Sequence, residues 1–110
     1  MRASEFLNEA IVGSLHIGDI TIRVDDHAID RAKTRGVSHK GVDYVLRRLP
    51  KIINKLEKIE TGTQFWVYDW SAEISLGMRR VSSSKLEFIL KTVLPKKADL
   101  TPDVQKLITI

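Results

Sequence analysis

After Thr61-Gly62 the apolar residues of this chain change their spacing, and that change limits what each half can fold into. Before it they recur at helical intervals. Val42, Val45, Leu46 and Leu49 make one stripe, and Ile52, Ile53, Leu56 and Ile59 make another. After it they alternate. Gln64–Trp70, Glu73–Val81 and Lys85–Leu94 therefore read as three strands, joined by turns at Ser71-Ala72 and Ser82-Ser83-Ser84.

Punctuation residues divide the rest. Residues 3–12 suit a short helix with Ser4 as N-cap and Gly13 at its close, and His16 falls in a Gly-flanked loop. Ile20–Val24 alternates as a strand. Asp25 or Asp26 caps a helix through Arg35, with Gly36 at its C′ position, and Ser38 starts a second helix that Pro50 breaks. Pro95 ends the last strand. The tail, 96–110, folds back either as a short helix from Thr101 or as an edge strand at Leu107–Ile110. Helices followed by a meander predict an α+β domain, with N-terminal helices packed on a three- to four-stranded antiparallel sheet. The 110 residues make one domain: a helix and loop over 1–19, a core over 20–95 and the tail.

Composition removes several classes of function. The chain has no cysteine, which excludes disulfides, a thiolate zinc site and a cysteine nucleophile. No apolar run approaches the ~20 residues that span a bilayer, and the first residues lack the apolar stretch of a signal peptide. His16, His27 and His39 have no partners at metal-ligand spacing, so no metal is expected. A cytoplasmic domain without a cofactor or membrane attachment is the expectation.

The net charge of +4 is unevenly spread. His27 to Lys58 holds nine Lys/Arg against three acids, Arg79 to Lys97 holds six against one, and the remaining segments are acidic. Such clustering suits either solvated helix faces or a polyanion partner.

His27, Arg31 and Arg35 follow one another at four-residue intervals, along a line pointing away from the buried face of Ala28, Ile29 and Ala32. Metal-free RNA cleavage needs a base for the 2′-OH, an acid for the leaving oxygen and cations for the phosphate. Histidine titrates in the right range, and guanidiniums pair with phosphate oxygens. The same line also suits a solvated face. On the sheet, strand parity puts Arg79 and Lys91 on an open face, where they could grip a nucleic-acid backbone. Arg80 and Thr92 have core parity near a sheet end. Trp66, Tyr68 and Trp70 share one face of their strand, suited to base stacking or to core packing. The opposite face carries Phe65, Val67 and Asp69, and the charge favours the aromatic face as core.

The stretch Val24-Asp25-Asp26-His27-Ala28-Ile29-Asp30-Arg31-Ala32-Lys33-Thr34-Arg35-Gly36, followed by Val42-Asp43-Tyr44-Val45-Leu46, resembles the His-x-x-x-Arg helix of the RelE/RegB-like small endoribonucleases of phages and toxin systems. The last strand, Phe88 to Pro95, also suits that group. The resemblance covers most of residues 20–95 and implies a RelE/barnase-like fold, with helices on an antiparallel sheet and a concave RNA-binding face. It implies His27 as acid/base, Arg31 as the phosphate-contacting cation, Arg35 as in the small His-Ala-x-x-Arg-x-x-x-Arg-Gly domains, and Thr92 as a polar side chain of the last strand. RegB-like enzymes carry a second helical histidine where this chain has Arg47-Arg48-Leu49-Pro50.

The expectation is thus a small metal-independent endoribonuclease acting on RNA such as mRNA, free or on the ribosome. His27, Arg31, Arg35 and Thr92 are its catalytic candidates, and Arg79, Arg80, Lys91, Tyr68 and Arg47 its RNA-binding candidates. The alternatives are a nucleic-acid-binding module without catalysis, or a basic interaction protein, an inhibitor or antitoxin-like adaptor, that docks an acidic partner protein through anchors such as Trp66, Trp70 and Arg80; an antitoxin or a host protein is the protein partner considered.

Overall fold

A computed structural model describes residues 13–110. The expected N-terminal helix over 3–12, with Ser4 as its cap, lies outside the described residues. Gly13 opens a strand instead: β1 (Gly13–Ile17) and β2 (Ile20–Val24) form an antiparallel hairpin, Ile17 opposite Ile20. The two-residue turn between them works because Gly18 takes φ 59°, which glycine adopts without penalty.

Asp25 ends β2 and caps α1 (Asp26–Thr34), its carboxylate accepting the His27 N–H at 2.9 Å. The helix closes as expected at Gly36, which has φ 75°. Gly36 donates to Lys33 O and Val37 to Ala32 O, the paired bonds of a Schellman motif. Ser38 then caps α2 (His39–Arg47) by accepting from Gly41 N–H at 3.0 Å. Pro50 does not end helical structure outright. It sits in a 3₁₀ turn, Leu49–Ile52, that leads directly into the single-turn α3 (Ile53–Leu56). Leu49, Ile52, Leu56 and Ile59 are buried, while Ile53 is only half-buried.

The meander is present: β3 (Gln64–Asp69), β4 (Ile74–Arg80) and β5 (Leu86–Leu94) pair antiparallel. The expected three- to four-stranded antiparallel sheet is nevertheless wrong. Among the described residues the sheet is mixed and six-stranded, in the order β1-β2-β5-β4-β3-β6, where β6 is Leu107–Thr109. β2 lies parallel to β5 and β6 parallel to β3. Parallel neighbours need a crossover. Residues 26–59 supply one across the face that holds the core, and residues 95–106 supply another across the opposite, open face. Both carry the chain in the same direction across the sheet but over different faces, so the two crossovers have opposite hands.

Strand parity also departs from expectation in two places. Gly77 stands opposite Thr92 and Met78 opposite Leu90, so Lys91 is the extra residue of a β-bulge. Phe88, Leu90 and then Val93 are fully buried, and Thr92 is turned onto the open face. In β3 the core side belongs to Phe65, Val67 and Asp69, and the aromatic side is the open one. Phe65 packs edge-on against Phe88, with ring centroids 5.7 Å apart. Asp69 tolerates complete burial because Arg48 Nε donates to it at 2.7 Å, with further bonds from the Ser71 hydroxyl and from Ser71 and Ala72 N–H.

Among the described residues, no helix is long and apolar enough to cross a membrane.

Candidate functional site

One cleft, about 350 Å³, gathers much of the chemistry expected from the sequence. Its wall is one face of α1 with its cap, through Asp25, His27 and Arg31. Its floor is the open face of the sheet, through Trp66, Gly77, Lys91 and Thr92, and Gln64 and Val104 close it.

Three local causes assemble it. First, β2 stops at Val24 while β5 continues, and the Asp25 N–H still reaches Leu90 O at 3.1 Å. From there α1 runs beside the rest of β5, burying Ala28, Ile29 and Ala32 and leaving His27 and Arg31 exposed, one turn apart. Second, the bulge at Lys91 brings Thr92 to the cleft. Third, Gly77 lets the floor pack down. A Cβ there would lie 2.6 Å from Thr92 Cγ2 and 3.0 Å from Trp66 Cζ3, closer than side chains pack.

The candidate residues separate into those the cleft unites and those it does not. His27, Arg31, Lys91 and Thr92 line it together. Arg35 stands at its margin, where Nη1 donates to Thr92 Oγ1 at 3.1 Å and to Val93 O at 2.8 Å. It thereby ties α1 to β5 and holds the Thr92 hydroxyl. Arg79 lies on the same open face with its Nε buried and without a hydrogen-bond partner. Tyr68 is also on that face but is only 8% exposed. Its cross-strand neighbour Ser75 holds the C-terminal crossover there, donating to Lys96 O at 2.6 Å and accepting from Ala98 N–H at 2.9 Å. Tyr68 is therefore packed rather than offered to a base.

Two candidates are placed elsewhere. Arg80 keeps its core parity and is buried, its guanidinium donating to the carbonyls of Ser82, Glu57, Ile59 and Lys85. It binds no backbone but the chain's own. Arg47 pairs with Asp43 one turn back on α2, at 2.8 Å, and does not line the cleft. Of the tryptophans, Trp66 is half-buried in the floor with an unpartnered Nε1, whereas Trp70 is 71% exposed beyond the end of β3.

Sequence reasoning passed over Gln64, Val104 and Gly77 as parts of a site. Gln64 shares parity with Trp66, so the correct facing of β3 would have found it. Val104 reaches the cleft only through the crossover, for which the sequence carries no signal. The remaining histidines lie apart. His16 is on β1, not in a loop, and its Nδ1 is 3.1 Å from Thr21 Oγ1; His39 opens α2. Among the described residues, no group of three or more His, Asp or Glu is placed to hold a metal ion.

Chemically, the cleft offers one imidazole, two exposed cations, an indole surface and a hydroxyl. Among the described residues the only carboxylate that lines it, Asp25, accepts the His27 N–H as the helix cap. Comparison with family models, with curated proteins and with solved structures finds no match to this chain.

Proposed function

We propose that the chain is a small, metal-independent endoribonuclease and that this cleft is its active site. The observation that carries the reading is the convergence of His27, Arg31 and Lys91 on a single hollow floored by Trp66. The resemblance of the His27–Arg31–Arg35 helix to RelE/RegB-like ribonucleases adds to it. The sheet type expected from that resemblance is not the one found, so the helix and its cleft carry the argument rather than the fold.

In the proposed reaction the 2′-hydroxyl of one ribose attacks the adjacent phosphorus. A 2′-O–P bond forms, the bond from phosphorus to the 5′-oxygen breaks, and the 2′ proton passes to His27. The departing 5′-oxygen takes a proton from solvent. The products are a 2′,3′-cyclic phosphate and a 5′-hydroxyl. Arg31 and Lys91 neutralise the charge that builds on the phosphate oxygens, and Arg35 keeps Thr92 in place beside them. Trp66 gives a flanking base an aromatic surface.

The test is cleavage of a mixed RNA pool by the full chain in EDTA, beside His27→Ala. Cleavage leaving cyclic phosphate ends, slowed roughly 10²–10⁴-fold in the variant, is the expected result. Equal cleavage by both proteins removes His27 from the mechanism. Intact RNA, with and without added ribosomes, overturns the enzyme reading. RNA affinity that falls steeply with salt would then leave a binding module.

A further inference from the structure

Among the described residues the sheet ends at β6, whose partner on one side is β3. Trp66 N–H donates to Lys106 O at 2.9 Å, and Ile110 N–H donates to Tyr68 O at 2.8 Å. In a parallel ladder the N–H and C=O of one residue point the same way, and successive residues alternate. Residues 106, 108 and 110 therefore face β3. The backbone groups of Leu107 and Thr109 point off the edge, and no backbone hydrogen bond among the described residues reaches them.

Outside that edge the surface is cationic. Two adjoining hollows, about 510 and 400 Å³, share Lys55 and Thr109. Lys51, Lys55 and Lys58 overlook the edge from the helix side, and Lys106 stands at its start; all four are exposed. Arg48 also lines one hollow but is committed to Asp69, and among the described residues no Asp or Glu side chain lines either. Lysines beside an open edge repel a second copy of a basic chain, which is how soluble proteins deter edge-to-edge pairing. The same lysines attract a strand that carries carboxylates. A nucleic acid could neutralise them too, but it has no regular row of amides and carbonyls to pair with Leu107 and Thr109.

We propose that the β6 edge docks an extended acidic segment of a partner protein, which adds to the sheet as a further strand. Its backbone bonds to Leu107 and Thr109. Its acidic side chains, on every second residue, meet Lys51, Lys55 and Lys58 on the helix side. This site is separate from the His27 cleft, and the proposal stands or falls independently of cleavage.

The experiment is an amide NMR titration of the full chain with a synthetic peptide of alternating Glu and Val. The expected result is saturable shifts at Leu107 and Thr109, with hydrogen exchange at those two amides slowed by binding. Reversing charge with Lys51→Glu and Lys55→Glu together weakens binding about tenfold or more, and added salt weakens it further. Thr109→Pro removes a donor that faces away from β3. It weakens binding about tenfold while protection of the Ile110 amide, which bonds to Tyr68, reports that the β3–β6 ladder is intact. The exchange readout in the unmodified chain serves even where Thr109→Pro disturbs that ladder. No saturable shift, or no slowing at Leu107 and Thr109, overturns the proposal. So does binding indifferent to Thr109→Pro with the ladder intact, or single-stranded RNA that occupies the lysines while the peptide does not.

Discussion

Arg31 and Arg80 come from the two basic segments of the chain, and the structure uses them in opposite ways. Arg31 stands on the rim of a cleft, exposed, with no side-chain hydrogen bond to any described residue. Arg80 is 8% exposed, and its guanidinium gathers four carbonyls at 2.7–3.3 Å. Two of those carbonyls, Glu57 and Ile59, belong to the chain just past α3, where helical hydrogen bonding runs out and carbonyls need donors. A cation there completes the fold, whereas Arg31, in the last turn of α1, has no side-chain acceptor among the described residues. Local charge density does not distinguish them. What distinguishes them is whether unpaired carbonyls lie within reach.

The largest effect is expected at Arg80. Replacing it with Ala leaves several carbonyls in a closed corner without a donor, at an expected cost of roughly 3–5 kcal/mol. Denaturant unfolding measures this. Arg80→Lys recovers only part of the loss, because an ammonium cannot reproduce the planar fork that spans these carbonyls. Unfolding of Arg80→Ala at the unaltered midpoint would show that this corner is not set by the guanidinium.

A smaller effect is expected at Asp69, the other charge enclosed on the helix side. Burial raises its carboxyl pKa, but the hydrogen bonds from the Ser71 hydroxyl, Ala72 N–H, Arg48 and Ser71 N–H outweigh burial and hold it below the usual aspartate value. The unfolded chain therefore takes up this proton at higher pH than the folded one. The stabilisation is complete above about pH 5 and is lost as pH falls through about 4 towards the folded-state value. Asp69→Asn is expected to cost about 2–3 kcal/mol at neutral pH, since Arg48 keeps some access to water. It also removes this group's share of the acid dependence. Equal slopes of stability against pH for both proteins would remove Asp69 from the account.

How much of this was legible depends on whether neighbouring residues or distant ones decide the matter. The caps at Asp25 and Ser38 and the Gly36 close of α1 follow from local chemistry, and they appear where the sequence puts them. So do the three meander strands, to within a residue or two. β1 has a local signature as well: Leu15 and Ile17 alternate with Ser14 and His16 ahead of Gly18-Asp19, a hairpin pattern. The facing of β3 was misjudged because a carboxylate at Asp69 counts against burial until Arg48, from another element, is seen to pair with it. The bulge at Lys91 leaves no mark in the sequence, yet it moves Thr92 from core parity to the cleft. For the site, spacing alone put His27 and Arg31 together. That Arg35 turns to Thr92 and Arg80 turns inward depends on carbonyls and hydroxyls up to 58 residues away along the chain.

The smallest stability effect is expected at Arg31, where a role in the fold and a role in binding give different readouts. Arg31→Gln keeps a long side chain with good helix propensity and removes a charge that no described side chain shares. Its unfolding midpoint should stay within about 0.5 kcal/mol of the unaltered chain. On the proposed reading RNA affinity should drop nonetheless, and the slope of log affinity against log salt should fall by roughly one counterion, the proposed phosphate contact being removed. The pair of readouts separates two meanings of an exposed arginine. A loss of stability comparable to that at Arg80 would mean that Arg31 supports the fold. Unchanged stability with an unchanged salt slope would mean a solvated side chain with no ligand. Only unchanged stability with a reduced slope fits a rim whose cations are held in place for a phosphate. Arg80→Lys, which retains the charge on the helix side, should leave the slope where it was.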